Sequence, residues 1–243
     1  MKDRIRFEDA KEFKIEHGVF DESTLMAIYK LLTKCIIKSV ESVVMEGKES
    51  VVLSAKDSGG KWLALKVYRV ESDFKTMWQY LAGDPRFFGL KKQRRAVVFA
   101  WCRREFKNLM IASDAGVNCP RPIAFRENVL VEEFIGEGGK LAPRLIDVRL
   151  SKEDAQEVYD TVIDDLEKIL KAGLVHADLS AYNILIFGRP CIIDFSQAVP
   201  VTHAQAEDFL KRDIKNINRY FEKIGAETVD AGKIFERLGG YLK

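Results

Sequence analysis

His176, Asp178, Asn183 and Asp194 stand in the order H-x-D-x-x-x-x-N, followed by two β-rich runs and D-F-S, all within residues 174–199. Phosphoryl transfer asks a protein for positioning and for neutralisation of phosphate charge more than for covalent chemistry. A short loop bearing Asp178 and Asn183 can set a carboxylate beside an incoming hydroxyl or water while the amide turns to a metal. The runs 183–187 and 191–195 are joined by Gly188-Arg189-Pro190, a turn signal. The chain should therefore fold back and return Asp194 to the metal that Asn183 serves. Mg²⁺, with Mn²⁺ as its substitute, suits such sparse oxygen ligation, since water and substrate phosphates complete its octahedron. Each piece alone has a bland explanation: H-x-D arises by chance, and an aspartate before a turn ordinarily caps it. Their conjunction in one window points to nucleotide chemistry. His176 reads as a structural residue that holds the loop by hydrogen bonds.

Upstream elements must then supply the phosphate-binding groups. Residues 40–70 read as three strands, connected at Glu46-Gly47-Lys48-Glu49 and at Asp57-Ser58-Gly59-Gly60, and neither turn has Walker A spacing. The first turn, with Gly47, Lys48, Glu49 and Ser50, can lie over phosphates through backbone N–H groups, and Lys48 and Ser50 add donors. A lone Gly47 is more often only a hairpin turn. Lys66 lies in LALKVY, where a lysine would normally be a solvent-facing alternate. The V-A-I-K pattern of kinases uses that position to pair the α- and β-phosphates and a helix glutamate. Residues 71–90 read as an irregular, partly mobile loop ending in Gly83-Asp84-Pro85. Residues 91–116 predict a long helix with Val97, Ala100, Trp101, Phe106 and Leu109 on its apolar face. Glu105 within it is the candidate partner of Lys66. Glu71 is the rival, but it follows the lysine strand too closely to return. Lys91, Lys92, Arg94, Arg95, Arg103 and Arg104 form a basic cluster, either a solvated helix face or a contact surface for a phosphate backbone.

Asn118-Cys119-Pro120-Arg121-Pro122 predicts a rigid connector, followed by strands at 123–126 and 129–134. Gly136, Gly138 and Gly139 predict a flexible joint between lobes. ATP-dependent folds of this plan bind adenine there, and backbone groups of Glu133 and Ile135 would make the hydrogen bonds. Ser151 and Asp154 form a capping box for a helix that carries Val158, Val162, Leu166, Ile169 and Leu170 into the 174–199 stretch. Helices at 204–224 and 229–238 bear no titratable constellation and read as a floor. At the other end, 7–16 and 21–35 predict two helices separated by His17-Gly18, with His17 as a C-cap element and Asp21 or Ser23 as an N-cap. The second would bury Leu25, Ile28, Tyr29, Leu32 and Ile36.

With 243 residues, 47% of them hydrophobic, the chain can bury a full core in one large domain or two lobes. A net charge of +2 demands neither a nucleic acid nor a membrane. Cys35, Cys102, Cys119 and Cys191 show no C-x-x-C spacing, so buried free thiols in a reducing compartment are expected. The charged amino terminus has no apolar core of a leader, and no apolar run approaches the about 18 residues of a spanning helix. A cytoplasmic, soluble protein is expected.

Laid end to end, EGKESVV, LALKVY, GGKLAPRLIDVRL, LVHADLSAYN and IIDFSQAV resemble the RIO family of atypical serine protein kinases, closest to its type-1 branch. The resemblance implies an α+β, two-lobed protein-kinase-like fold, with a β-rich N-lobe and a mostly helical, truncated C-lobe lacking an activation segment. Residues 1–39 would be a helical extension packed on the kinase domain, 40–137 the N-lobe and 138–243 the C-lobe. It further implies that Lys66 binds phosphates and Glu105 holds it, that Asp178 is the catalytic aspartate, and that Asn183 and Asp194 bind the metal. ATP would be transferred to serine or hydrolysed during maturation of the small ribosomal subunit, with the basic cluster facing RNA. Two features agree independently. Ala177 replaces the arginine that pairs with a phosphorylated activation loop, and about ten residues separate Ser196 from the next helix. Two departures stand out: Glu132 where the family has an apolar residue behind adenine, and Ala181 where an acid is common. The competing functions are a small-molecule phosphotransferase of the aminoglycoside or choline kinase type and an assembly module that only binds ATP. The first generally carries larger helical insertions, and the second would have lost Lys66, Asp178 or Asp194.

Overall fold

The structure, a computed structural model, describes residues 20–72 and 74–242. The helix expected at 7–16 and the His17 cap lie outside them. Helix α1, Glu22–Thr33, starts at Asp21, whose carboxylate accepts the Thr24 N–H at 2.9 Å. Its buried residues are Thr24, Ala27 and Leu31, with Leu25, Ile28 and Leu32 packed at the margin, whereas Tyr29 is exposed. Of the expected stripe Leu25, Ile28, Leu32 and Ile36 pack against the sheet core and only Tyr29 turns out, because the helix presents the residues at 24, 27 and 31 most directly to it.

Strands β1 (Ser39–Glu46), β2 (Ser50–Lys56) and β3 (Trp62–Tyr68) follow as an antiparallel meander. Residues 71–90 are not an irregular loop. They hold helix α2, Phe74–Ala82, and a 3₁₀ turn at Pro85–Phe87 that Asp84 caps. Met77 and Leu81 are buried at helical spacing, and the Gly-Asp-Pro break ends the helix without dissolving it. Helix α3, Arg94–Asp114, starts three residues later than expected. Strands β4 (Pro122–Arg126) and β5 (Val129–Glu133) complete a five-stranded sheet in the order β1-β2-β3-β5-β4.

Period-two alternation divides that sheet into two faces. Leu63, Leu65 and Val67 of β3, with Val129 and Val131 of β5, pack with α1. Ala64, Lys66 and Tyr68 point the other way, beside Leu130 and Glu132.

The supposed joint at Gly136 to Gly139 is a small hairpin, β6 (Gly136–Glu137) with β7 (Lys140–Leu141). It is not a free hinge: a Cβ on Gly139 would lie 2.6 Å from the Trp62 ring, so the turn packs against β3. Helix α4, Lys152–Lys171, begins with the expected capping box, Ser151 Oγ accepting the Asp154 N–H at 3.0 Å. Then come β8 (Leu174–Val175), β9 (Ile184–Phe187), β10 (Arg189–Ile192) and β11 (Val199–Pro200). In the β9–β10 hairpin Arg189 already pairs with Phe187, so the turn is tighter than Gly188-Arg189-Pro190 implied. Helices α5 (Ala206–Lys223) and α6 (Ala231–Leu238) close the chain. The larger core joins α3 to these helices through Trp101, Leu109, Tyr159, Leu166, Phe195 and Phe221. Cys102, Cys119 and Cys191 are buried free thiols, but Cys35 is exposed.

Candidate active site

A cavity of about 380 Å³ opens between the sheet and the helical half. Gly47, Lys48, Glu49, Ser50, Lys66, Glu133, Ile135, Asp178, Asn183 and Asp194, ten residues separated by up to 147 positions in the chain, all line it. Glu105 lies just behind, reached through Lys66.

Lys66 is the link between the two halves. Its Nζ donates to Glu105 Oε1 at 2.8 Å and to Asp194 Oδ1 at 2.9 Å. Tyr68 OH donates to the other oxygen of Glu105. Burial opposes the charge on Lys66, but Asp194 and Glu105 overcome it and hold the ammonium protonated above the usual lysine range. Burial likewise opposes ionisation of Asp194, and Lys66 and Ser196 prevail, setting its carboxyl at about 2. Ser196 Oγ donates to Oδ1 at 2.7 Å, and Asp194 itself has φ of 63°. A non-glycine residue in the left-handed region is strained, and such strain is held only where neighbours fix it.

Neighbours on α3 do so here. Asn108 Nδ2 donates to the carbonyls of Phe195 at 2.8 Å and Ala198 at 2.9 Å, and the Arg104 guanidinium donates to Ala198 O at 2.9 Å. The reading of Arg104 as part of a basic surface is therefore wrong. Its side chain is fully buried against Asp84, whereas Lys91, Lys92, Arg94, Arg95 and Arg103 are exposed. The spacing of 97, 101, 104 and 108 on one helix stripe was the available signal.

Asn183 spends its amide on Asp178, donating to the backbone O at 2.8 Å and to Oδ2 at 3.0 Å. Its Oδ1 is thereby turned away from Asp178. Burial and the nearby Asp194 charge push the Asp178 carboxyl up from its usual range. His176 is structural as expected: its ring packs edge-on to Phe195, and Nε2 donates to the Ile193 carbonyl at 3.2 Å. Burial pushes its pKa down to about 4, so it stays neutral.

Sequence reasoning missed what holds the Asp178 loop. Asp213 on α5 accepts the N–H groups of Ala177 at 2.7 Å and Leu179 at 3.0 Å, and Arg212 donates to the Ala177 carbonyl. This permits Ala177 its φ of 64°. Burial pushes the Asp213 carboxyl up to about 7. An acid on the stripe of Phe209, Leu210, Ile214 and Ile217 was the legible sign. Asp213→Ala orphans two buried N–H groups, and urea unfolding should show a loss of about 2–4 kcal/mol. No change in the midpoint would show that the loop holds itself.

At the connecting segment, Glu133 N–H donates to Arg121 O and Ile135 O accepts from Ala142 N–H, each at 2.9 Å. Of the backbone groups expected to meet adenine, the Glu133 carbonyl and the Ile135 N–H remain. Gly47 N–H donates to Ser50 O at 2.8 Å, which makes Gly47 the closing residue of its turn.

Among the described residues no group of three or more His, Cys, Asp or Glu side chains is placed to hold a metal alone. Asn183 Oδ1 and Asp194 Oδ2, on two residues that line the same cavity, make no hydrogen bond among the described residues and are the oxygens that could face a metal there. That donor set fits Mg²⁺ bound jointly with phosphates and water.

A family model described as RIO domain matches residues 51–234. The RIO-type serine/threonine-protein kinase Rio1 of Haloferax volcanii is 42% identical over 239 residues, covering 98% of this chain and 81% of the relative. The Rio1 of Methanocaldococcus jannaschii is 41% identical, covering 88% and 73%. Human serine/threonine-protein kinase RIO1 is 35% identical, and the chain spans 42% of its length. Among solved structures, a Rio2 kinase from Chaetomium thermophilum in an ADP/Mg²⁺-phosphoaspartate complex superposes with a TM-score of 0.70 at 22% identity, over 96% of this chain and 75% of that one. The two-lobed protein-kinase-like fold is thereby shared.

Proposed function

The chain belongs to the RIO family, type-1 branch, and on that premise we propose that it transfers or hydrolyses the γ-phosphate of Mg²⁺-bound ATP. The observation that carries the proposal is the Lys66 bridge between Glu105 and Asp194, made within one cavity beside Asp178 and Asn183. Lys66 holds the phosphates, and the N–H groups of Lys48 and Glu49 face them from the turn that Gly47 closes. Glu105 and Tyr68 fix the lysine. Asn183 Oδ1 and Asp194 Oδ2 hold Mg²⁺, which neutralises phosphate charge when bound. With Asn183 on its Oδ2, Asp178 offers Oδ1 to the proton of an incoming serine hydroxyl or water. Adenine lies against the Glu133 carbonyl and the Ile135 N–H.

From Asp194 the chain passes through β11 and reaches α5 at Ala206, leaving no platform for an extended peptide. That favours ATP turnover gated by a docked particle, the immature small ribosomal subunit in the cytoplasm. Lys91, Lys92, Arg94, Arg95 and Arg103 supply the exposed charge for rRNA; buried Arg104 does not. No described helix is long and apolar enough to cross a membrane.

The test is Mg²⁺-dependent phosphate release from ATP, with and without immature small subunits. Stimulation by particles is expected. Transfer of label to an added small alcohol, with no effect of particles, would move the assignment to a small-molecule phosphotransferase.

A further inference from the structure

Glu132 lines the cavity, and the phosphate and metal roles leave its carboxyl unused. It sits on β5 opposite Ala64 of β3, on the face that also carries Lys66, and its carboxyl reaches the cavity. Neighbours around the base-binding end are apolar: Met45, Val52, Ala64, Leu141 and Leu185. The carboxyl has no hydrogen-bond partner and no ion pair among the described residues. Glu132 is half-buried, so its carboxyl is open to the cavity, and a polar side chain that lines a binding cavity without a protein partner is placed to meet a ligand there.

We propose that Glu132 is a base-selecting residue, whose carboxyl engages the 6-amino group and N7 of adenine and disfavours guanine. This rests on the nucleotide reading of the cavity given above. Glu133 and Ile135, next along the chain, meet the edge of the base that carries N1, so the residue inward of them faces the adjoining edge with N7. Adenine shows that edge as one donor, the amino group, beside one acceptor, N7. Guanine shows two acceptors, O6 and N7. A carboxylic acid in its neutral form has a carbonyl to accept and a hydroxyl to donate, which matches adenine at both positions and guanine at one. Burial and the charge of Glu105 keep Glu132 neutral, raising its pKa to about 8. A site built to hydrogen-bond one pattern rejects the other because its own polar groups are then left unpaired.

Calorimetric binding of Mg²⁺-ADP, Mg²⁺-GDP and Mg²⁺-7-deaza-ADP to the full chain at neutral pH tests this. Wild type should prefer ADP to both others by about tenfold or more, since each loses a hydrogen bond to the Glu132 carboxyl. Glu132→Gln, whose amide keeps one acceptor and one donor, should retain the preference. Glu132→Leu should bring 7-deaza-ADP level with ADP. Equal binding of ADP and 7-deaza-ADP by wild type, or an unchanged ratio in Glu132→Leu, would overturn the role of Glu132 while leaving the nucleotide site intact. Absence of binding for all three would instead overturn the nucleotide reading itself.

Discussion

Asp178→Ala should lower ATP turnover by about 10²- to 10⁴-fold, the range for loss of a positioned general base, while Mg²⁺-ADP affinity stays within about threefold. The separation follows from the bonds. Asp178 is held by Asn183 Nδ2, whereas Lys66, Ser196 and Asn108 fix Asp194 and its turn without it. Removing the Asp178 side chain costs Asn183 one of its two amide bonds, but the bond to the Asp178 backbone carbonyl remains at 2.8 Å. Asn183 Oδ1 therefore keeps its aim. Phosphate release and calorimetry on the same preparation decide the matter; a variant with normal turnover would remove Asp178 from the reaction. The pH dependence has a definite sign. Burial and Asp194 raise the Asp178 carboxyl, so its base form is lost at a higher pH than for a free aspartate. The acid limb of turnover should lie correspondingly higher, and it should vanish from the residual activity of Asp178→Ala.

Asp84→Ala should destabilise the protein by about 3–5 kcal/mol, the cost of breaking a buried ion pair by removing one partner. Asp84 is fully buried and takes Arg86 through both oxygens, at 2.6 Å for the closest contact. It also lies 3.5 Å from the equally buried Arg104. Without it, two guanidinium groups face each other at the α2–α3 junction. The loss should extend to the site, because Arg104 is one of the two α3 side chains that fix the turn after Asp194. Urea unfolding of Asp84→Ala and of Asp84→Ala/Arg104→Met measures this. The double variant should recover part of the stability, since the fully buried guanidinium is gone and only the partly exposed Arg86 is left without its carboxylate. Equal midpoints for wild type and Asp84→Ala would show that water reaches the cluster and replaces the carboxylate.

Lys66, Asp178, Asn183 and Asp194 were legible because each departs from its surroundings. A lysine in LALKVY and polar residues fixed between apolar strands have few structural explanations, and their order in the chain carries the chemistry. Glu105 was legible only through Lys66. Helix 74–82 was passed over because Gly83-Asp84-Pro85 dominates that stretch, although Met77 and Leu81 keep helical spacing. Arg104 was misplaced, and Asp213 passed over, for a different reason. A charged residue in a helix is exposed by default, and only the partner decides otherwise. Those partners, Asp84 and the backbone of 177–179, lie 20 to 36 positions away.

By itself, then, the sequence determined most of the element types and four residues that meet in the cavity, because these follow from local periodicity and from motif spacing, while the two-lobed plan came from the resemblance those motifs carry. Tertiary structure alone decided which charges are buried. It also decided that α5 clamps the Asp178 loop, that α3 clamps the Asp194 turn, and that Glu132 faces the cavity with no partner. Burial and pairing are properties of two segments at once, and no single stretch of chain encodes the distance between them.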